Sequence, residues 1–146
     1  MKSKYFPMVD KKTGAMFGMI VRLLKTASPL YSTYDFNPVT QMVGHFFQVR
    51  DDHMNLQGKE YSEQKGFCED LDEGKFSFLF VHLLEDIPKY ENLILGIFRQ
   101  RHVASTTPLV QESKIQILEC LERTGTFEAP WQLLQDLEQR IEKEIE

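Results

Sequence analysis

Phe46-Phe47-Gln48-Val49-Arg50-Asp51-Asp52-His53-Met54-Asn55, then a polar loop, then Lys65-Gly66-Phe67-Cys68-Glu69-Asp70-Leu71-Asp72-Glu73-Gly74-Lys75, is the stretch that organises this chain. On an α-helix each residue turns by about 100°, so with Gln48 at zero Asp51 falls at about −60°, Asp52 at about +40° and Asn55 at about −20°. Four oxygen-bearing side chains therefore share one narrow stripe. Asp51, Asp52 and Asn55 are suitable ligands for a hard cation such as Mg²⁺, which prefers carboxylates, phosphate oxygens and water. Val43, Phe46 and Phe47 flank the stripe and want an apolar interior. A carboxylate pair drawn toward a core without a counter-charge is very unfavourable. The helix thus predicts a cation, and an anion that the cation bridges.

A solvated acidic face is the plainer reading of the same residues. Two features weigh against it: the neighbouring Phe46-Phe47, and the lysines Lys65 and Lys75 without acidic partners in that helix. Two unit charges about 4 Å apart interact by ~1 kcal/mol in water and ~4 kcal/mol near a protein surface. Paired carboxylates facing a phosphate group would repel by several such units. A divalent cation reverses the sign, and lysines neutralise the outer oxygens.

Outward from this stretch the periodicity is helical throughout. Tyr5 to Thr26 carries Met16, Phe17, Ile20, Val21, Leu23 and Leu24 at helical spacing, with Pro7 expected in its first turn. Gly14 and Gly18 read as a small pair for close helix packing. Asn37 suits a cap and Pro38 a first helical position, giving a helix from 38 to 56. Residues 57–74 read as a loop with at most a short turn. Residues 75–84 form a helix apolar on most faces, followed by helices opening at Pro88 and Pro108. Gly125 ends one helix, and the last runs from Phe127 or Pro130 with Leu133, Leu134, Leu137, Ile141 and Ile145 as its stripe. The class is all-α, a helical bundle, in one domain spanning 1–146.

The 146 residues can bury a real core, and 42% hydrophobic content with eleven Phe is globular rather than disordered. A net charge of −5 argues against a general nucleic-acid binder. No apolar run reaches the ~20 residues of a transmembrane helix, and the N-terminus has no signal-peptide core. Cys68 and Cys120 give neither a disulfide framework nor metal spacing, which favours free thiols and a cytoplasmic setting.

The stretch from Phe46 to Leu56 resembles the second aspartate-rich motif of trans-prenyltransferases. Lys59-Glu60-Tyr61-Ser62-Glu63-Gln64-Lys65-Gly66-Phe67-Cys68-Glu69-Asp70-Leu71 and Glu73-Gly74-Lys75-Phe76-Ser77-Phe78 look like geranylgeranyl diphosphate synthases. Lys12-Thr13-Gly14, Ile97-Phe98-Arg99-Gln100-Arg101 and Gly125-Thr126-Phe127-Glu128 fit the same family. The resemblance implies the C-terminal half of the isoprenoid synthase fold. It implies Mg²⁺ held chiefly by Asp51, with Asp52 and Asn55 around its water shell. Lys12, Thr13, Gln48, Lys65 and Lys75 would grip the allylic diphosphate, and Phe47 would lie near isopentenyl diphosphate. The implied reaction ionises the allylic diphosphate, and the alkene of isopentenyl diphosphate attacks the carbocation. The implied product is geranylgeranyl diphosphate.

The family's first aspartate-rich motif and its isopentenyl site are missing, so the chain resembles a second half and little activity is expected of it alone. His53 replaces a usual aromatic residue and Leu79 a usual Pro. His53 points off the acidic stripe. His45, His82 and His102 read as packing or surface residues, and Trp131 as an anchor of the last helix. The resemblance leaves two rivals open: a non-catalytic subunit that modulates a full-length prenyl diphosphate synthase, and a fragment of a class I terpene cyclase. A homo-oligomer, or pairing with a full-length synthase, is expected on either of the first two readings.

Overall fold

The computed structural model describes residues 2–28, 33–57, 68–103 and 108–145, without the side chains of residues 2, 57 and 100–103. Among the described residues every regular element is helical, as the periodicity predicts. In chain order they are α1 (Lys2–Val9), a π-helical turn (Asp10–Gly14), α2 (Ala15–Ala27), α3 (Asn37–Gln57), α4 (Glu69–Asp72) and α5 (Phe78–Asp86). A 3-10 turn (Pro88–Tyr90), α6 (Glu91–Val103), α7 (Gln111–Arg123), a second 3-10 turn (Thr126–Glu128) and α8 (Ala129–Ile145) follow.

Three expected helix starts move: the helix expected to open at Pro108 begins at Gln111, after an extended Val110, and the other two shift for local reasons. The first helix begins by Lys2, and Pro7 lies inside it rather than in its first turn. Proline removes one i→i−4 bond there, tolerable so near an end where carbonyls and amides are already short of partners. The helix expected from Lys75 starts instead at Phe78, because the preceding residues are spent on a tight turn. Gly74 takes φ +64°, and the Lys75 N–H donates back to the Asp70 carbonyl at 3.0 Å. At α3 the cap is Asp35 rather than Asn37: its Oδ1 accepts the Asn37 N–H at 3.0 Å. Gly125, at φ +66°, ends α7 as expected, a conformation glycine adopts without a Cβ penalty.

Packing centres on α3, which lies along α8, the π-turn and α2. Its crossing with the π-turn is set by glycine: a Cβ on Gly44 would stand 2.8 Å from the Gly14 Cα. Gly14 therefore serves close approach as expected. Gly18 does not, since a Cβ there would meet nothing within 4 Å.

One core joins α5, α6 and α7 through Leu79, Phe80, Leu83, Ile94, Ile117 and Leu121, with Leu56 of α3 and Leu71 of α4. A second gathers Tyr5 and Val9 of α1, Val49 of α3, Phe78 and Val81 of α5, and Leu134 of α8. Each such side chain contributes roughly 1.5–3 kcal/mol by leaving water. His53 is buried edge-on to Trp131, ring centroids 5.0 Å apart, so it faces α8 and Trp131 anchors that helix. By contrast α2 buries no residue, and Met19, Leu23 and Leu24 are 56–63% exposed.

Candidate functional site

The acidic stripe of α3 faces α1, the π-turn and the start of α5. A π-turn widens the helix by one residue, and such turns recur at functional sites. Here it aims two side chains at α3. The Asp10 Oδ1 meets the His45 Nε2 at 2.7 Å. The Thr13 hydroxyl donates to the Gln48 Oε1 at 2.7 Å. Gln48 continues the chain one helical turn on, its Nε2 donating to the Asp52 Oδ1 at 2.8 Å. The i,i+4 spacing that put Gln48 and Asp52 on one stripe is thus realised as a hydrogen bond.

Asp52 is only 3% exposed and has two further partners. The Tyr5 hydroxyl donates to its Oδ2 at 2.7 Å, and the Phe78 N–H donates to the same oxygen at 2.6 Å. These donors are neutral. Burial holds the Asp52 carboxyl above the usual range, although the bonds from Tyr5, Phe78 and Gln48 each pull it down. Burial also raises the Tyr5 hydroxyl far above its ordinary value, with the Asp52 charge adding to the effect, so Tyr5 remains a donor.

Asp51 is half-buried, and its charge and that of Asp70 also bear on Tyr5. Asn55 turns to α4, its Oδ1 accepting the Asp70 N–H at 3.3 Å. Asp70 in turn holds Lys75, Nζ to Oδ1 2.8 Å, and Glu73 takes the same ammonium at 2.6 Å. Lys75 therefore has carboxylate partners, which sequence reading did not supply. Burial alone would lower the ammonium, but the bonds to Asp70 and Glu73 outweigh it and hold it above the usual lysine range. Lys12 is exposed beside Thr13 and lines an open cavity of about 500 Å³ with Lys4, Pro7, Met8 and Lys11. Phe47 is half-exposed and packs edge-on to Phe17 at 5.9 Å. Lys65 and His102 fall outside the described side chains.

The structure thus brings Thr13, Gln48 and Asp52 into one hydrogen-bonded chain, and joins Asn55 and Lys75 to each other in a second set through Asp70. Sequence reading missed Tyr5 and Asp70. The Asp70–Lys75 spacing was a signal that could have been used. Tyr5 gave none, since its partner lies 47 residues away. Burial pushes the Cys68 thiol up, away from the thiolate a nucleophile needs.

Asp51 offers the kind of oxygen ligand that a hard divalent cation such as Mg²⁺ accepts. Such an ion commonly takes one or two protein carboxylates and completes its shell with phosphate oxygens and water. Among the described residues no three histidine, cysteine or acidic side chains converge on one point. A cation here would draw most of its ligands from the substrate and solvent.

Residues 1–112 match the model of the polyprenyl synthetase family. A bifunctional terpene synthase of Fusarium proliferatum is 44% identical over 150 residues, covering 99% of this chain and 20% of that protein. Preterpestacin I synthase of Cochliobolus heterostrophus is 44% identical over 147 residues, 99% of this chain and 21% of its own. Sesterfisherol synthase of Neosartorya fischeri is 44% identical over 147 residues, 99% of this chain and 19% of its own. The chain spans about a fifth of the length of the curated relatives it matches.

Proposed function

Because the chain belongs to the polyprenyl synthetase family, we propose that it supplies the second diphosphate-binding half of a Mg²⁺-dependent prenyltransferase. The reaction joins an allylic diphosphate to isopentenyl diphosphate. Asp51 is the protein carboxylate on the cation. Asp52 and Asn55 hold the ion's water shell. Lys12, Thr13, Gln48, Lys65 and Lys75 bind the diphosphate, and Phe47 lines the approach of the second substrate. The cation's part is to neutralise the diphosphate as it leaves.

The chain's own residues do the rest. Thr13 and Asp52 fix the Gln48 amide from both ends, which leaves one of its two N–H bonds to donate outward. Lys75 must exchange Asp70 or Glu73 for a phosphate oxygen, since it is paired to both. Aromatic walls such as Phe17 and Phe47 keep water from a carbocation. Geranylgeranyl diphosphate is the product we assign, on the motif resemblance at Glu73 to Phe78.

The observation that carries this reading is the Thr13–Gln48–Asp52 chain, which joins the Lys12 turn to the acidic stripe. The names of the relatives support a terpene-synthase setting. The exposed apolar face of α2 supports pairing with a second polypeptide, a copy of the chain or a full-length synthase. Among the described residues no helix is long and apolar enough to cross a membrane. The cytoplasmic setting remains part of the proposal, in keeping with the free thiols of Cys68 and Cys120.

Isothermal titration of the chain with inorganic pyrophosphate, with and without Mg²⁺, tests the site. Binding should require the cation, be lost in Asp51→Asn and weaken in Lys12→Ala. Farnesyl plus isopentenyl diphosphate with Mg²⁺, read by mass spectrometry, tests the reaction. Little twenty-carbon product is expected from the chain alone, and robust product would overturn that expectation.

A further inference from the structure

Adjacent carboxylates in an acidic motif invite the reading that both hold metal. The surroundings of Asp52 argue against that. Both Asp52 oxygens are already met by protein donors: Oδ1 by Gln48, Oδ2 by Tyr5 and by the Phe78 N–H. These donors come from α3 itself, from α1 and from the start of α5. The Phe78 bond has a particular meaning. Ser77 occupies the N-cap position of α5, where a serine hydroxyl usually accepts from the first turn. Here it makes no capping bond, and its Oγ is buried with no partner among the described residues. The N–H that opens α5 is satisfied from another helix, by Asp52.

We propose that Tyr5 is a positioning residue of the cation site: with the Phe78 N–H it holds Asp52 as a buried strut joining α1, α3 and α5, which leaves coordination to Asp51. Tyr5 has this role only on the reading that Asp51 holds the cation. A strut on the next residue of the same helix fixes the rotation of α3, and so the direction in which Asp51 points. It also sets the first turn of α5, three residues beyond Lys75.

Two measurements on the full 146-residue chain separate the parts. The first is amide hydrogen exchange at Phe78, followed by NMR, with folding checked by circular dichroism. Asp52→Asn should speed exchange at Phe78 by roughly tenfold, the loss that one charge-assisted hydrogen bond carries. Tyr5→Phe should speed it by a smaller factor, because it frees the carboxylate to turn away from the Phe78 N–H. Ser77→Ala and Asp51→Asn should leave it unchanged. If Asp52→Asn does not fold, Tyr5→Phe decides this arm.

The second is pyrophosphate titration with a change of metal. Asp51→Cys should lose Mg²⁺-dependent binding and regain it with Cd²⁺, which prefers thiolate. That regain is an outcome general loss of stability cannot imitate, whereas Asp52→Cys should weaken binding without rescue by Cd²⁺. Rescue of Asp52→Cys by Cd²⁺, or unchanged Phe78 exchange in Tyr5→Phe, overturns the proposal. Absence of Mg²⁺-dependent pyrophosphate binding by the unaltered chain sinks the functional reading instead, and Phe78 exchange then decides the strut by itself.

Discussion

A Cβ built on Gly44 would stand 2.8 Å from the Cα and 3.0 Å from the N of Gly14, and neither backbone atom can step aside without moving a helix. Gly44→Ala should therefore destabilise by about 1–3 kcal/mol, the usual range for overpacking. Gly18→Ala fills open space and should stabilise by up to about 1 kcal/mol through helix propensity. Urea unfolding of the two variants checks the contrast; equal effects would mean that the crossing is not steric. Lys114 is 6% exposed and bonded to the Asp72 Oδ2 at 2.6 Å, so Lys114→Ala should cost about 3 kcal/mol or more by stranding a carboxylate. Lys75 has a side chain 43% exposed, but its partner Asp70 is only 7% exposed, so Lys75→Ala also strands a buried carboxylate and should cost more than the ~1 kcal/mol of a surface pair. At this scale the sequence showed which residues share the α3 stripe, because the helical period fixes directions. It did not show their partners. Tyr5 reaches Asp52 by tertiary packing, and the grip of Asp70 and Glu73 on Lys75 depends on the turn at Gly74.

Helices as elements were legible where an apolar stripe ran long, and their ends were legible where the stop signal was local. Gly125 closes α7 through its own φ. The start of α5 could not be read locally, since its first N–H is satisfied by Asp52 from 26 residues upstream. The stripe of α2 was legible too, but periodicity predicts that a face is apolar without saying what covers it. Among the described residues nothing buries it: Met16, Met19, Ile20, Leu23 and Leu24 are each at least 44% exposed. An exposed apolar face of this kind marks an interaction surface. On the proposed pairing, the double substitution Leu23→Lys with Leu24→Lys should abolish concentration-dependent association in sedimentation velocity. It should change unfolding free energy by no more than about 0.5 kcal/mol per site, because neither side chain is packed. Association that persists in the double variant would move the sticky surface elsewhere.

The family match stops at residue 112, yet the molecule does not. Beyond it Ile117, Cys120 and Leu121 complete the core around α5, and α8 lies along α3, covering His53 with Trp131. A chain cut after residue 112 should therefore lose cooperative unfolding in circular dichroism, and a sharp transition in that truncation would make α7 and α8 accessory. The charge of the whole leads to a further expectation. The net charge is −5, and Asp51, Asp52 and Asp70 crowd around Tyr5, so an anion approaching this face alone is repelled. On the proposed reading a cation alone lacks the phosphate oxygens that complete its shell. Each ligand needs the other. Ligand bound at a hundred times its dissociation constant stabilises a fold by ~2.7 kcal/mol. For a chain of this size that raises the melting temperature by roughly 5–10 °C. Mg²⁺ with pyrophosphate should produce such a shift in differential scanning calorimetry, and either component alone should produce less than half of it. An equal shift with pyrophosphate alone would assign the binding to the exposed lysines Lys4, Lys11 and Lys12, and remove the cation from the site.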